Sequence, residues 1–483
     1  MVKKIDKGII IILDVGKNVA EADGTDKESF FEKAKRCAAR IIESKILSKG
    51  KDYLGVILLG TKKTMNNMAE QCEGGFRRIE TLFPLELPTW KIIRDLPQSP
   101  TNKTGDWVEA LAVAADHVQN EVSGVNIVKV KIILITNFHS SKCSEDNIKM
   151  VLGGLKEYKY EVDVFGPDIN DEHNKNSDLQ LAREFVAQTG GQTATFHEIM
   201  QYLQFHKKRI VRPASWNVDL SIGSYIKIPV TAYIRLNEYK VVDRWQHGVD
   251  DPVTSKSSTS EAVVKTKAFY NAEDQSKVDE SDVTKVYKIG HQNIPASESD
   301  NAIKYKSGDK SLKLYGFTQA SNIHWQHLAG NSLYYVFGRK GDKKAQNTIT
   351  SLVEILHEKK LVGVARRVYN NNNAPQMFVL MPIIDTENYV CLSMICLCYK
   401  EAIKHMMFPP INLKKYPCSQ DQVNAMKDLI KAMDLTNAYD ETFDGAEAFP
   451  TGEVVSPSAQ YMLDCLAYRA MNPGKPLPPP RDD

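Results

Sequence analysis

Residues 301–373 hold 12 lysines and arginines against 4 acidic side chains, in a chain of 483 residues whose formal net charge is only +2. A basic segment inside a nearly neutral protein is read either as a local polyanion site or as a solvated face of a strand-rich domain. The other residue types able to do chemistry do not assemble into a motif. There is no GxxxxGK[ST] loop, and Gly74-Gly75, Gly153-Gly154 and Gly190-Gly191 sit in turn contexts, so no cradle for a nucleotide phosphate is expected. The eleven histidines make no HExxH spacing; His324 and His327 flank Trp325 in SNIHWQHLAG, which reads as an aromatic turn rather than a zinc site. The eight cysteines include no CxxC pair. Cys391, Cys396 and Cys398 lie in the apolar run CLSMICLCYK, where buried thiols are expected. Such usage fits a reducing compartment, cytosol or nucleus. No Ser/His/Asp or Cys/His set can be nominated, so no catalytic residue, no cofactor and no enzymatic activity are expected.

The elements that must carry those cations follow from periodicity. Residues 1–210 alternate strands and helices, beginning with the continuous apolar run GIIIILDVG (8–16), the signature of a strand covered on both faces. A helix is expected at about 27–48, strands at 53–60 and 128–137, helices at 106–122, 145–159 and 178–189, and strands at 160–165 and 192–196. Alternation of this kind builds a doubly wound, mainly parallel sheet. After KKRIVRPASW (207–216), short strands dominate to about residue 400: VDLSIG, YIKIPVTAYI, KLYGF, LYYVFG, LVGVARRVY and MFVLMPII. One helix interrupts them near 342–358, and the whole reads as a β-barrel with a helical insertion. Residues 246–282 are polar and form a long excursion.

The last section is helical. Ser419 and Gln422 fit a capping box that opens a run through Leu435, and Ser456-Pro457 opens a second helix before the proline-rich NPGKPLPPPRDD. Both helices carry apolar stripes, Val423, Met426, Ile430 and Met433 on the first and Met462, Leu463 and Leu466 on the second, as on an arm that packs on a partner. Three parts are therefore expected: an α/β domain at 1–210, a barrel at 211–413 and an arm at 414–483. No apolar run approaches the ~20 residues of a membrane span, and the amino terminus leads straight into a strand, without a signal peptide.

Asp14-Val15-Gly16-Lys17-Asn18 closes the first strand, and its place resembles the metal loop of von Willebrand factor A domains, which reads Asp-x-Ser-x-Ser. A hard cation there takes carboxylate, hydroxyl and water oxygens. In this chain Gly16 and Asn18 stand at the hydroxyl positions, Thr104 is the candidate second ligand, and Thr136-Asn137-Phe138 lacks the Asp of the third loop. The resemblance implies the fold with its metal site eroded, and no bound metal.

Residues 312–384 carry a second resemblance. They hold LKLYGFTQASNI with Gly316-Phe317, a helix before the strand Leu361–Tyr369 with Arg366 and Arg367, and Asn372-Asn373-Ala374-Pro375 ahead of Met381-Pro382. This resembles the core of the Ku family. RPASWNVDLSIGSYIKIPVTAYI looks like its first barrel strands, KYKSG (304–308) like the lead-in to the Gly-Phe strand, and the carboxyl-terminal run like the arm of its larger subunit. That larger subunit continues into a further globular domain and a kinase-recruiting tail, both beyond this chain. The resemblance implies a von Willebrand A-like domain, a Ku barrel with a DNA-encircling excursion, and an arm that grips the smaller subunit of an obligate heterodimer. It implies sequence-independent binding of double-strand break ends in non-homologous end joining, in the nucleus. Telomere maintenance and contacts of end-joining factors with the amino-terminal domain are further expectations. Phosphate contacts are expected from Lys240, Arg244, Lys256, Lys265 and Lys267 near the excursion and from Arg366 and Arg367; neighbours on a strand point to opposite faces, so at most one of that pair faces the ring. The alternatives are a metal-dependent adhesion or scaffold protein of the von Willebrand A type, a Ku-fold binder of structured RNA or telomeric DNA, and an ATP-driven helicase, against which the missing phosphate loop counts.

Overall fold

Strand β1 (Lys4–Asp14) buries every side chain from Ile9 to Leu13, because helices cover both faces of its sheet. The computed structural model describes residues 4–21, 28–48, 50–72, 74–122, 126–138, 143–169, 176–207, 213–241, 246–247, 261–262, 268–284, 286–295, 305–385, 387, 389–404, 406–408, 417–436, 452 and 454–480. These fall into two units, residues 1–210 with 435–483, and residues 211–434.

In the first unit β1 is joined by β2 (Tyr53–Leu59), β3 (Ile79–Glu86), β4 (Asn126–Ile135), β5 (Glu161–Gly166) and β6 (Thr193–Thr195), in the order β3-β2-β1-β4-β5-β6. All neighbours are parallel except β3, which runs antiparallel at the edge. Strand β3 escapes a periodicity reading because Pro84 interrupts its ladder, a residue tolerated where one side of the strand has no partner. Helices α1 (Phe30–Leu47), α2 (Asn67–Gln71), α3 (Trp90–Arg94), α4 (Trp107–Val122), α5 (Glu145–Glu157), α6 (Ser177–Thr189) and α7 (Phe196–Tyr202) complete it. Ser29 and Glu32 cap α1 reciprocally, and its Phe31, Ala34, Cys37, Ala38, Ile41 and Ile42 lie on one sheet face with α3 and α7. The other face is covered by α4 and α6 around Trp107, Leu111 and Phe185.

The second unit is a closed barrel of seven strands. They are β7 (Ser215–Ile222), β8 (Ile226–Asn237), β15 (Ser311–Gln319), β16 (Leu328–Gly338), β17 (Leu361–Val368), β18 (Gln376–Asp385) and β19 (Tyr389–Leu397), ordered β15-β17-β18-β19-β16-β8-β7. The ring closes through a parallel pair, β15 with β7. Strand β19 runs through the cysteine-bearing apolar stretch: Cys391 is buried and its thiol pushed up to about 11 by burial. Between β8 and β15 the excursion forms short ladders, β9 (Gln246–His247) with β10 (Glu261–Ala262), β11 (Phe269–Tyr270) with β12 (Lys277–Val278), and β13 (Val286–Ile289) with β14 (Gln292–Pro295). Helix α8 (Lys343–Glu358) seats Ala345, Ile349, Val353 and Leu356 in the cluster formed by the inward residues of the strands. A side chain at Gly338 would meet the Gln346 Cα at 2.5 Å, so only glycine lets β16 run this close to the helix.

Helix α9 (Gln420–Ala432) has its capping box, Ser419 with Gln422, and buries no residue. Helix α10 (Pro457–Met471) belongs to the first unit, where Ala459, Gln460, Leu463 and Ala467 are buried against it. No helix among the described residues is long and apolar enough to cross a membrane.

Candidate nucleic-acid interface

Alternation along β17 decides between its adjacent arginines. Leu312 lies opposite Arg367 and points into the barrel, whereas Lys313 lies opposite Arg366 on the outer face. Arg367 is 6 % exposed. Its guanidinium carbon lies 4.2 Å from the Phe378 ring centroid, 4.8 Å from Tyr334, 5.5 Å from Tyr369 and 5.9 Å from Trp216. Rings of β7, β16, β18 and the segment just after β17 thus box the cation, and desolvated contacts of this kind are worth up to about 2 kcal/mol each. Its Nη2 donates to Gln376 Oε1 at 2.7 Å, while Nε and Nη1 have no hydrogen-bond partner among the described residues. Trp216 donates from Nε1 to the Tyr369 carbonyl at 3.0 Å and stacks on that ring at 5.6 Å, which fixes the wall of the box. Burial pushes the nearby Cys396 thiol up, and Arg367 opposes that rise.

Arg366 stands on the outer face, half-buried, with Nη2 donating to the Ser307 carbonyl at 3.3 Å. Across the sheet its row reads Ser221, Lys313, Arg366, Met377, with two cations and no carboxylate. Exposed Tyr305 and Tyr315 lie close to Tyr399, whose hydroxyl donates to the Pro375 carbonyl at 2.8 Å; burial raises the Tyr399 pKa and Arg366 counters it. Lys313, with Lys306 and Lys310 just before β15, was not among the residues singled out from sequence. The excess of basic residues over 301–373 was its only signal, and cross-strand register is what joins it to Arg366.

The other sequence-derived candidates are spread more widely. Lys240 is exposed, with Nζ 3.8 Å from Glu238 Oε2, while Arg244, Lys256, Lys265 and Lys267 lie outside the described residues. On α9, Val423, Met426 and Ile430 are all exposed, as is Met433 just after it, and no described residue of the chain buries this apolar stripe. On α10, Met462 and Leu466 are exposed but Leu463 is 7 % exposed, buried within the first unit.

That seating of α10 is polar at its centre. The His206 amide donates to Gln460 Oε1 at 2.8 Å, and Gln460 Nε2 donates back to the His206 carbonyl at 3.1 Å. The buried His206 ring lies with Nε2 3.1 Å from Asp464 Oδ1, 3.4 Å from Glu43 Oε1 and 3.0 Å from Arg40 Nη1, and Arg40 pairs with Glu43. Arg94 donates to the Ala470 carbonyl at 2.6 Å, and the Tyr461 hydroxyl to the Pro478 carbonyl at 3.0 Å.

The loop after β1 is equally closed. Asp14 Oδ1 accepts from the Gly16 amide at 2.9 Å, and Oδ2 accepts from Asn18 Nδ2 at 2.7 Å and from the Thr136 hydroxyl at 2.6 Å. Asn18 Nδ2 also reaches Asn137 Oδ1 at 2.7 Å, and Asn137 Nδ2 donates to the Asn18 carbonyl at 2.7 Å. The Asn18 amide thus supplies N–H donors to oxygens of the kind a cation would collect. A Cβ at Gly16 would lie 2.7 Å from Asn18 Oδ1 and 2.8 Å from the Lys103 carbonyl. Thr104 is exposed. Among the described residues no group of three or more His, Cys, Asp and Glu is placed to hold a metal ion.

With this geometry in view, two domain families match. Residues 8–190 match the Ku70/Ku80 N-terminal alpha/beta domain and residues 222–425 the Ku70/Ku80 beta-barrel domain. The chain is 26% identical to X-ray repair cross-complementing protein 5 of Xenopus laevis, over 99% of this chain and 69% of that protein. It is 25% identical to the protein of the same name in Dictyostelium discoideum (98% and 65%) and 24% identical to ATP-dependent DNA helicase II subunit 2 of Aspergillus oryzae (98% and 72%). It thus spans about two thirds of the length of these relatives. Among solved structures, the SpRpn10 VWA domain aligns at 11% identity and a TM-score of 0.31, over 43% of this chain and all of that one, which is too low a score to carry weight. A von Willebrand A-like α/β domain, a closed seven-stranded barrel and carboxyl-terminal helices are the architecture of the chain.

Proposed function

The chain belongs to the Ku family, and we propose on that premise that it binds the ends of duplex DNA, without reading sequence, as the larger subunit of a Ku heterodimer. The observation that carries this reading is the outward row on the barrel, where Lys313 and Arg366 face each other with no carboxylate between them. Cations held on a rigid sheet suit backbone phosphate, whose contacts give affinity and register but no sequence preference. Of the arginine pair, Arg366 is the member assigned to phosphate, and Lys240 and the lysines of the excursion are assigned the same role. The bare stripe of α9 is assigned to the partner subunit, since obligate partners cover apolar faces of this kind.

The reading extends to end joining in the nucleus, with the amino-terminal domain as a docking surface for joining factors. It is a scaffold's role. Relatives named as helicase subunits do not change it, because the sequence offers no phosphate-cradling loop. A metal-dependent adhesion role is disfavoured by the Asp14 carboxylate, which already takes three hydrogen bonds from its own chain.

The test is topological. With the partner subunit present, linear duplex should bind far better than a covalently closed circle of the same sequence, and changing the bases should matter little. Equal affinity for circle and line would remove the encircling mechanism. Preference for a folded RNA over both would redirect the function.

A further inference from the structure

Lys313 and Arg366 are directly opposed across β15 and β17. Opposed side chains on one face lie about 4.5–5.5 Å apart at Cβ, and like charges so placed destabilise a sheet. The next residues of the row offer no relief: Ser221 neighbours Lys313 across β7, and Met377 neighbours Arg366 across β18. Neither cation makes an ion pair among the described residues. The bond from Arg366 to the Ser307 carbonyl uses one of its five N–H groups, leaving the fork able to engage an oxyanion. An anion between the two side chains turns a repulsive pair into a three-centre attraction.

The strand's phase is what presents Arg366 to that anion. If β17 slipped by one residue, Arg367 would point outward and Arg366 inward. The box of four rings and Gln376 takes the Arg367 guanidinium and holds it inside.

We propose that Lys313 and Arg366 form one seat for a single DNA backbone phosphate, and that Arg367 is the positioning residue that keeps Arg366 in it. The seat rests on the DNA-binding reading, and the experiment separates the two. The heterodimer, as wild type and variants, is titrated with linear duplex across a salt series. One neutralised phosphate contributes about 0.9 to the slope of log affinity against log salt. Lys313→Ala and Arg366→Ala should each reduce the slope by up to that amount, and the double variant by no more than it, because both serve the same phosphate. Arg366→Lys should restore most of the slope. Arg367→Lys keeps the charge but not the planar fork, and it should lower the slope as well as the melting temperature.

A double variant that loses about twice the single-phosphate value overturns the shared seat, as does a slope unchanged in every variant. An Arg367→Lys heterodimer that melts earlier but keeps the wild-type slope overturns the positioning role. If the wild type binds no DNA, the proposed function fails first, and inorganic pyrophosphate then reads the seat alone. A rise in melting temperature seen in wild type and lost in Arg366→Ala supports it, and equal or absent shifts in both overturn it.

Discussion

In the first unit the Asp14 carboxylate takes hydrogen bonds from Gly16, Asn18 and Thr136, and His206 is tied to Gln460 on both sides of its peptide group. In the barrel unit Lys313 and Arg366 face each other with no carboxylate in their row, and α9 has no buried residue. The Asp14 loop and the His206–Gln460 contact satisfy their polar groups within the chain, whereas the Lys313–Arg366 pair and the α9 stripe leave charge and apolar surface exposed. A loop that resembles a ligand site need not be one. Where Asn18 and Asn137 place amides beside the Asp14 carboxylate, the polar groups bond to each other and the loop is structural. Unmatched charge and uncovered apolar surface are the better pointers to function.

The contrast makes graded predictions. The largest effect is expected from Asp14→Ala, which leaves the Thr136 hydroxyl, the Gly16 N–H and one of the two Asn18 side-chain N–H groups without their carboxylate acceptor. At about 1–3 kcal/mol for each buried group left without a partner, stability measured by denaturant should fall by about 4 kcal/mol, while the salt slope of DNA binding stays unchanged. A change of slope would mean that the closed region still touches the ligand. Next comes Met426→Ser with Ile430→Ser on α9. Association with the partner subunit should weaken about a hundredfold, as for loss of a central apolar anchor, with no drop in the melting temperature of the free chain. A fall in that temperature instead would show that α9 is covered by its own chain.

Gln460→Ala removes both bonds to the His206 peptide and should cost about 2 kcal/mol. Limited proteolysis would read it as faster cleavage within Pro457–Met471, and unchanged cleavage would show that α10 is held by its apolar face alone. The smallest effect is expected from Mg²⁺. A bound ion stabilises by mass action, so a loop closed by amides should show no shift in melting temperature at millimolar Mg²⁺. A reproducible rise abolished by Asp14→Ala would reopen that loop as a metal site and erase the contrast.

Much of the fold is legible in the sequence because its periods are strong. The run from Ile9 to Leu13 marks a doubly covered strand, and the stripe from Phe31 to Ile42 marks α1. The barrel strands are legible for the same reason, apart from β19, whose sulfur-rich run draws attention to thiols rather than to pleat. The site is less legible. In LVGVARRV apolar residues occupy both faces, so alternation says that the arginines part without saying which one turns inward. That choice is made by Trp216, Tyr334 and Phe378, contributed by three other strands. The arm divides for a similar reason. The apolar stripes of α9 and α10 look alike in sequence, but α10 has a receptor on its own chain, built around a histidine 254 residues away from Gln460. An amphipathic pattern tells that a face needs cover and is silent about what supplies it.

The bond between His206 and Gln460 also bears on how the protein is made. The first unit is discontinuous, with the barrel inserted between its main body and the helix that completes it. A ribosome adding ~5–20 residues per second needs ~13–50 s to travel from His206 to Gln460. Throughout that interval the nascent amino-terminal unit stands with the surface that receives Leu463 uncovered, while the barrel emerges and folds. Interrupted translation within this window would release a chain whose first unit lacks its last helix, and such a fragment should be a preferred client of chaperones and proteases.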